Sequence, residues 1–287
     1  MVKRIYNQGG LGNQLFIWRA AHLLHLKTSQ DVEIVCLKNE SNSRPNELYQ
    51  LTKLCTHPIL IREVNKYSFR VRFAQKYPKI YRTVRRLTFK RFQVGIAIEP
   101  QAQLNQISVK YSDYLGFFQN KMDELWDELD LGQEILDYLE VIWKELNRAK
   151  SLETRASFQV FHVRRGDYAT GEKKFGQLSA RYFRENMASN LPVIICTDAD
   201  VLDPDFLVEF PDAEVLDKSH LGVWPTLALM VKAEQFVGSN STLSWWAAKL
   251  RTPLGLPSVL PRPWFERIPQ NPDFEIEGVK FSKSVFL

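Results

Sequence analysis

Phe158-Gln159-Val160-Phe161-His162-Val163-Arg164-Arg165-Gly166-Asp167-Tyr168 is an apolar β-type run that ends in two arginines, a glycine and an aspartate. The carboxyl end of a buried strand opens into the crevice of an α/β fold, so adjacent guanidiniums there suit an anionic ligand. Arginine fits that task because its planar fork binds phosphate oxygens bidentately and stays charged at every working pH. A diphosphate site is one reading. The other is a surface turn whose arginines are solvated and pair with nearby acids.

Outward from this run the second half of the chain alternates. A helix is expected over 179–190, a strand over 192–196, a helix over 203–210 and a strand over 213–216. A helix over 225–232, a strand over 236–238 and a helix over 241–250 follow. That spacing predicts a parallel, doubly wound sheet. The first half opens in the same way, with a strand over 2–6, a glycine-rich turn over 7–12, a helix over 14–27 and a strand over 31–37. Extended segments over 92–98 and 114–119 and a helical pattern over 120–150 complete it. The expected architecture is α/β, with two Rossmann-like lobes facing a cleft and bounds at 1–150 and 151–287.

The 287 residues are 45% hydrophobic and 25% charged, an ordinary globular balance without repeats or a disordered composition. Cys36, Cys55 and Cys196 are far apart in apolar company, which favours reduced core thiols and a cytoplasmic protein over a disulfide frame or zinc site. Neither an export signal nor a membrane-spanning run is visible. The formal charge of +5 is uneven: residues 62–91 hold eleven cations against Glu63 alone, a net +10, so the remainder sums to −5. Aromatics interleave with these cations. A solvated helix face with the rings turned inward is the first reading, an anionic membrane surface the second and nucleic acid the third.

Three further stretches could carry chemistry. Gly9-Gly10-Leu11-Gly12-Asn13-Gln14 brings backbone amides and a helix start near an anion, although Leu15 stands where a dinucleotide fingerprint needs its third glycine. Ser239-Asn240-Ser241-Thr242 leads from a strand into a helix, and its side chains can cap that helix or bind phosphate. Asp198-Ala199-Asp200 has the acid-x-acid spacing of a divalent-metal site, but Arg164 and Arg165 could neutralise the same diphosphate, so no metal ligand is assigned.

Taken together, residues 9–16, 162–168 and 240–246, with Gly116-Phe117-Phe118-Gln119, resemble the α-1,2-fucosyltransferase family of bacteria and animals. The resemblance implies an inverting transferase that uses GDP-fucose as donor substrate, with no cofactor and no obligatory metal. The carboxyl-terminal lobe would bind the donor and the amino-terminal lobe the acceptor. Arg164 and Arg165 would hold the diphosphate as it departs, with His162 beside the nucleotide. Such clamps act chiefly on charge that develops in the transition state. Asn13 would face the reacting oxygen. Gly10 and Gly12 would bind substrate at the glycine-rich turn, while Asn240, Ser241 and Thr242 would bind phosphate. Glu172 corresponds to a loop glutamate of the related α-1,6 transferases and is the expected general base, with Asp167 as the rival and the partner of an arginine. Asp198-Ala199 replaces a pair of acids and Thr226 replaces an acid of many relatives, which bears on how Asp198 and its neighbours read guanine.

The expected reaction is transfer of L-fucose to the 2-hydroxyl of a terminal galactose on a glycan acceptor, such as a lipid-linked bacterial polysaccharide, by a cytoplasmic enzyme held against an anionic inner membrane. Its rivals are a fucosyltransferase of another linkage or acceptor, and a non-catalytic basic protein that binds nucleic acid or a lipid surface.

Overall fold

The computed structural model describes residues 2–38, 46–53, 59–81, 96–98, 113–115, 131–150, 157–166, 175–217, 219–267 and 275–287. Asp167, Glu172, Cys55 and the segment 116–119 lie outside these residues. The chain divides into two compact units, Met1–Glu134 and Ile135–Leu287.

The first unit contains β1 (Lys3–Tyr6), α1 (Leu11–Thr28), β2 (Val32–Leu37), β3 (Ile59–Val64), α2 (Phe69–Lys76), β4 (Ile96–Ile98) and β5 (Asp113–Leu115). Among the described residues its sheet runs β3-β2-β1-β5-β4 and every pairing is parallel. Interior strands β1 and β2 are rich in apolar residues because each is covered on both faces: Ile5, Val32, Ile34, Val35 and Cys36 are all buried. Helix α1 is enclosed nearly all round from Leu11 to Leu24, Gln14, Arg19 and His22 included, rather than along one stripe. β3 lies at an edge, and its Arg62 pairs with Glu33 on β2 at 3.3 Å while Arg4 on β1 pairs with the same carboxylate at 3.2 Å.

Helix α3 (Leu131–Lys150) belongs from Ile135 onward to the second unit, so the division falls in the first turn of this helix instead of following it at 150. The reason is packing. Tyr138 meets Trp224 edge-to-face at 4.9 Å, Trp143 stacks on Phe158 at 6.0 Å, and Glu140 pairs with Lys232.

The second unit continues with β6 (Gln159–Val163), α4 (Ala180–Glu185), β7 (Val193–Thr197), α5 (Pro204–Val208), β8 (Glu214–Leu216), α6 (Val223–Lys232), β9 (Gln235–Val237), α7 (Thr242–Arg251), β10 (Ser258–Arg262) and β11 (Lys280–Lys283). Its sheet runs β11-β10-β9-β6-β7-β8, again wholly parallel. This is the doubly wound order of a Rossmann lobe. The chain steps outward from β6 through β7 to β8, then returns to the other side of β6 with β9 and steps outward again. The expected Rossmann-like α/β lobes are therefore present. The order reverses between β6 and β9, and ligands of such sheets bind at the carboxyl ends of the strands at that point.

A ring cluster under β6 makes that end rigid. Phe161 touches Phe183 at 5.5 Å and Phe210 at 5.3 Å, and Phe183 touches Phe206 at 5.6 Å. Each such ring contributes about 1.5–3 kcal/mol on burial. Behind the sheet, fully buried Arg251 on α7 donates to the carbonyls of Met230, Val231, Ala233, Glu234 and Pro257 and to Ser258 Oγ. One guanidinium thus satisfies the end of α6 and the starts of β9 and β10.

Candidate active site

β6 delivers His162, Arg164 and Arg165 to the point where the strand order reverses. The two arginines part there. Arg164 Nη1 pairs with Asp198 Oδ2 at 2.7 Å, and both side chains keep about one fifth of their surface exposed (19% each). Asp198 follows β7, and its other oxygen accepts from the backbone amides of Arg165 at 2.7 Å and Gly166 at 3.0 Å. One carboxylate therefore orders the turn after β6 and fixes the plane of the Arg164 guanidinium. Glycine is required at 166 because a Cβ there would lie 2.2 Å from Asp198 Oδ2.

Arg165 points inward. It is 6% exposed, donates from Nη2 to the Leu178 carbonyl at 2.8 Å and from Nη1 to the Arg164 carbonyl at 3.2 Å, and stands 5.2 Å over the Phe206 ring. Burial lowers its pKa to about 10, still well above neutral pH, so it remains a cation. The sequence pairs it with Arg164 as a leaving-group clamp. Its donors instead go to backbone carbonyls, and it braces the chain at both sides of residues 167–174.

His162 is also turned into the protein. Its Nδ1 lies 2.7 Å from Ser244 Oγ on α7 and 3.4 Å from Ser239 Oγ, which joins the end of β6 to the start of α7. Burial pulls its pKa down to about 4, so the ring is neutral near pH 7. It holds the reversal point together, where the sequence suggested a neighbour of the nucleotide.

The segment after β9 divides its side chains in the same way. Asn240 donates from Nδ2 to the carbonyls of Phe175 at 2.8 Å and Gly176 at 3.1 Å. Ser241 is the N-cap of α7, its Oγ accepting from the Leu243 amide at 3.3 Å. Thr242 is the first residue of the helix and is half-buried. Gly238 is where strand, helix and neighbouring strand come closest, since a Cβ would lie 2.7 Å from Leu260 Cδ2 and 2.8 Å from Ser244 Cβ. Capping and bracing thus account for Asn240 and Ser241, which the sequence offers as phosphate ligands.

A hollow of about 540 Å³ opens beside this turn, lined by Arg165, Gly166, Gln177, Asp198, Ala199, Asp200, Val201 and Asp203. Asp200 and Asp203 are both exposed. Its acids suit N–H and O–H donors of a ligand better than phosphate oxygens. Thr226, the other position that departs from the acidic pattern, bonds back to the Gly222 carbonyl of its own helix at 2.9 Å. Among the described residues no cluster of three histidines, cysteines or acids is spaced to hold a metal ion.

In the first unit the turn 7–10 follows β1. Gly9 has φ +79°, and a Cβ there would strike Asn13 Nδ2 at 2.5 Å. Gly10 is the N-cap of α1, and a Cβ on it would meet nothing within 4 Å, so the helix start opens into space. Gly12 and Asn13 form the first turn behind it, Gly12 buried and Asn13 half-buried. Gln14, fully buried, locks the turn by donating to the Gly9 carbonyl at 2.9 Å and accepting from the Glu47 amide at 2.9 Å.

Phe206 is a structural partner that motif spacing did not single out, while Ser239 and Ser244 lie in the quoted motifs without having been read as partners of His162. Ser244 carried a signal, because a hydroxyl on the first turn of a helix that starts beside a buried histidine is in reach of it.

Comparison with known proteins assigns the arrangement. The chain is 25% identical to the alpha-1,2-colitosyltransferase of Escherichia coli, over 90% of this chain and 91% of that one. It is 26% identical to the O-antigen biosynthesis glycosyltransferase WbnK of Escherichia coli, over 90% and 93%. Among solved structures, the fucosyltransferase NodZ from Bradyrhizobium aligns with a TM-score of 0.48 at 13% identity, over 87% of this chain and 93% of that one. Residues 5–256 match the profile of Glycosyl transferase family 11, and the chain belongs to that family.

Proposed function

We propose that this glycosyltransferase moves L-fucose, with inversion, from GDP-L-fucose to the 2-hydroxyl of a terminal galactose during O-antigen or related polysaccharide synthesis. The observation that supports this reading most is Arg164, a guanidinium fixed by Asp198 at the carboxyl end of β6, where the strand order reverses. A fucosyl group leaves GDP as an oxocarbenium-like species while negative charge gathers on the diphosphate. A cation already oriented at that place stabilises the transition state without reorganising. The α7 start, with Thr242 at its first position, adds the positive end of a helix from the neighbouring strand β9. The acid-lined hollow then receives the N–H donors of the base, with Asp200 or Asp203 in the role that a second acid after Asp198 plays in many relatives.

On this reading Arg164 alone is the clamp and Arg165 is a brace. Asn13 and the open start of α1 belong to the acceptor side, and Glu172 or Asp167 takes the proton from the attacking hydroxyl. No metal is needed, because Arg164 and the helix end supply the positive charge.

The colitosyltransferase relative favours a second reading, in which colitose is the sugar transferred in the same 1,2 linkage. Parallel incubations with GDP-fucose and a colitosyl nucleotide, read by product mass and linkage, separate the two. Titration with GDP then tests the machinery. Arg164→Ala should lose nucleotide affinity and turnover at an unchanged melting temperature. Arg165→Ala should lower activity and melting temperature together, by about 4–8 °C for the roughly 2 kcal/mol that an unpaired buried carbonyl costs. Full GDP affinity in Arg164→Ala would sink the assignment.

A further inference from the structure

The basic segment after β3 departs from the first reading of its sequence, in which the aromatic rings all turn inward, and favours the second. Tyr67 and Tyr81 are buried, and with Val71 and Ala74 they attach the segment to its lobe. Among the described residues two further rings face outward. Phe69 is 76% exposed and Tyr77 41% exposed, with Phe73 between them half-buried. These three positions are spaced by four residues and form one row along α2 and its C-cap, exposed at Phe69 and Tyr77 and anchored at Phe73, which packs against the cluster that holds Val71 and Ala74. Phe69 stacks on Phe73 at 6.2 Å and Phe73 lies 5.4 Å from Tyr77. Ile80, 55% exposed, extends the apolar row beyond the helix.

Cations surround the row. Between Arg62 and Tyr81 there are six Lys or Arg residues and one acid, Glu63, a local net charge of +5 that equals the formal charge of the entire chain. Arg72 and Lys76 are exposed on the same side of the helix as the rings, and Lys79 is exposed beside Ile80. A monomer gains nothing by leaving a ring three-quarters in water at the centre of a cationic patch. An interfacial helix does, since its rings enter the acyl boundary while lysines and arginines reach the headgroups.

We infer that this face of the first lobe docks on an anionic lipid bilayer, with the Phe69-Phe73-Tyr77 ridge at the interface and the surrounding cations on the headgroups. The charge is of the wrong sign for a second copy of the chain, whose same face would repel it. The rings also serve poorly as stacking platforms for bases. Phe69, Phe73 and Tyr77 already lie against one another, Lys76 Nζ lies 5.4 Å from the Tyr77 ring centre, and Ile80 has no π face. Two weak signals, apolar insertion and headgroup attraction, are the combination that reversible peripheral binding requires. Such docking keeps a transferase beside any acceptor carried on a lipid, and it is independent of which sugar is transferred.

The test is flotation of the full chain with unilamellar vesicles of phosphatidylcholine alone or with about one third phosphatidylglycerol. The expected result is binding to the anionic vesicles in low salt, little to the neutral ones, and release in high salt. R72Q/K76Q should weaken partition about 30-fold, at about 1 kcal/mol per charge removed near such a surface. Phe69→Ser should weaken it at every salt concentration, and circular dichroism should report an unchanged fold for these exposed positions. Absence of binding to anionic vesicles in low salt overturns the proposal. So does equal binding to neutral vesicles, unchanged binding by both variants, or a single-stranded oligonucleotide that binds the patch while vesicles do not.

Discussion

Replacement of Asp198 by asparagine separates positioning from contact at the candidate site. The aspartate makes three charge-assisted contacts, to the Arg165 and Gly166 amides at 2.7 and 3.0 Å and to Arg164 at 2.7 Å. Asparagine can keep one oxygen toward the two amides. Each of those bonds then falls from the charged range of about 1.5–3 kcal/mol to the neutral range of about 0.5–1.5, a loss of about 1 kcal/mol apiece. Its amide group would meet the Arg164 guanidinium donor to donor, and the ion pair is lost. With both partners partly exposed, that pair lies between the 0–1 kcal/mol of a surface bridge and the 3–5 of a buried one, at about 1–2. The sum, about 3–4 kcal/mol, corresponds to two to three decades in kcat/KM if all of it orders Arg164 for the transition state. The assay is fucosyl transfer from GDP-fucose to a β-galactoside, measured for Asp198→Asn, Arg164→Ala and the double variant. If Asp198 acts through Arg164, adding Asp198→Asn to Arg164→Ala should cost little more than Arg164→Ala alone, because the interaction is already gone. Two independent losses would mean that Asp198 touches the donor directly. A kcat/KM within about threefold of the unaltered enzyme for Asp198→Asn alone would refute the positioning argument altogether.

Other outcomes follow from the same geometry. Gly166→Ala should reproduce the Asp198→Asn loss in turnover, since its methyl would occupy the space of Asp198 Oδ2; an active, normally folded Gly166→Ala enzyme would contradict the tight turn. Arg251→Met leaves five backbone carbonyls, three of them buried, and the Ser258 hydroxyl without their donor, so urea unfolding should reveal a loss of about 3–5 kcal/mol, a large share of the 5–15 typical of a domain. His162 has its folded pKa lowered to about 4, below its unfolded value near 6.5, so the unfolded chain binds its proton first as pH falls. Its contribution is complete above about pH 7 and is lost between about pH 6.5 and 4, reaching about 2 kcal/mol by pH 5. Melting temperatures across that window should fall less steeply in His162→Gln, and parallel slopes would remove His162 as the cause.

The sequence reveals the strands that run unbroken through a core. Phe158 to Val163 and Asp31 to Leu37 read as strands because apolar residues fill nearly every position, as parallel strands covered on both faces require. Strands that carry charged or proline positions do not advertise themselves. β3 hides in a basic run because Arg62 and Glu63 face solvent, and β10 and β11 carry Pro261, Lys280 and Lys283, which suit a turn as well as a strand. The direction of a charged side chain is invisible for a different reason. Arg164 and Arg165 are the same residue type at adjacent positions, and only the strand pleat and the neighbours decide that one meets Asp198 while the other meets Phe206 and Leu178. The same holds for Phe69 and Tyr67, one exposed and one buried two positions apart. Motif content locates the site to a strand end, but the separation of clamp from brace needs the tertiary contacts of β7, α5 and α7.

In the inverting fucosyl transfer proposed above, Arg164 and not Arg165 holds the departing diphosphate. The decisive measurement is the product of GDP-fucose and a β-galactoside acceptor, identified by NMR, for the unaltered enzyme and for Arg164→Ala. The first should yield an α-1,2-linked fucoside, and the second should form it more slowly by two or more decades. Undiminished formation by Arg164→Ala, or a β-linked product, would contradict it.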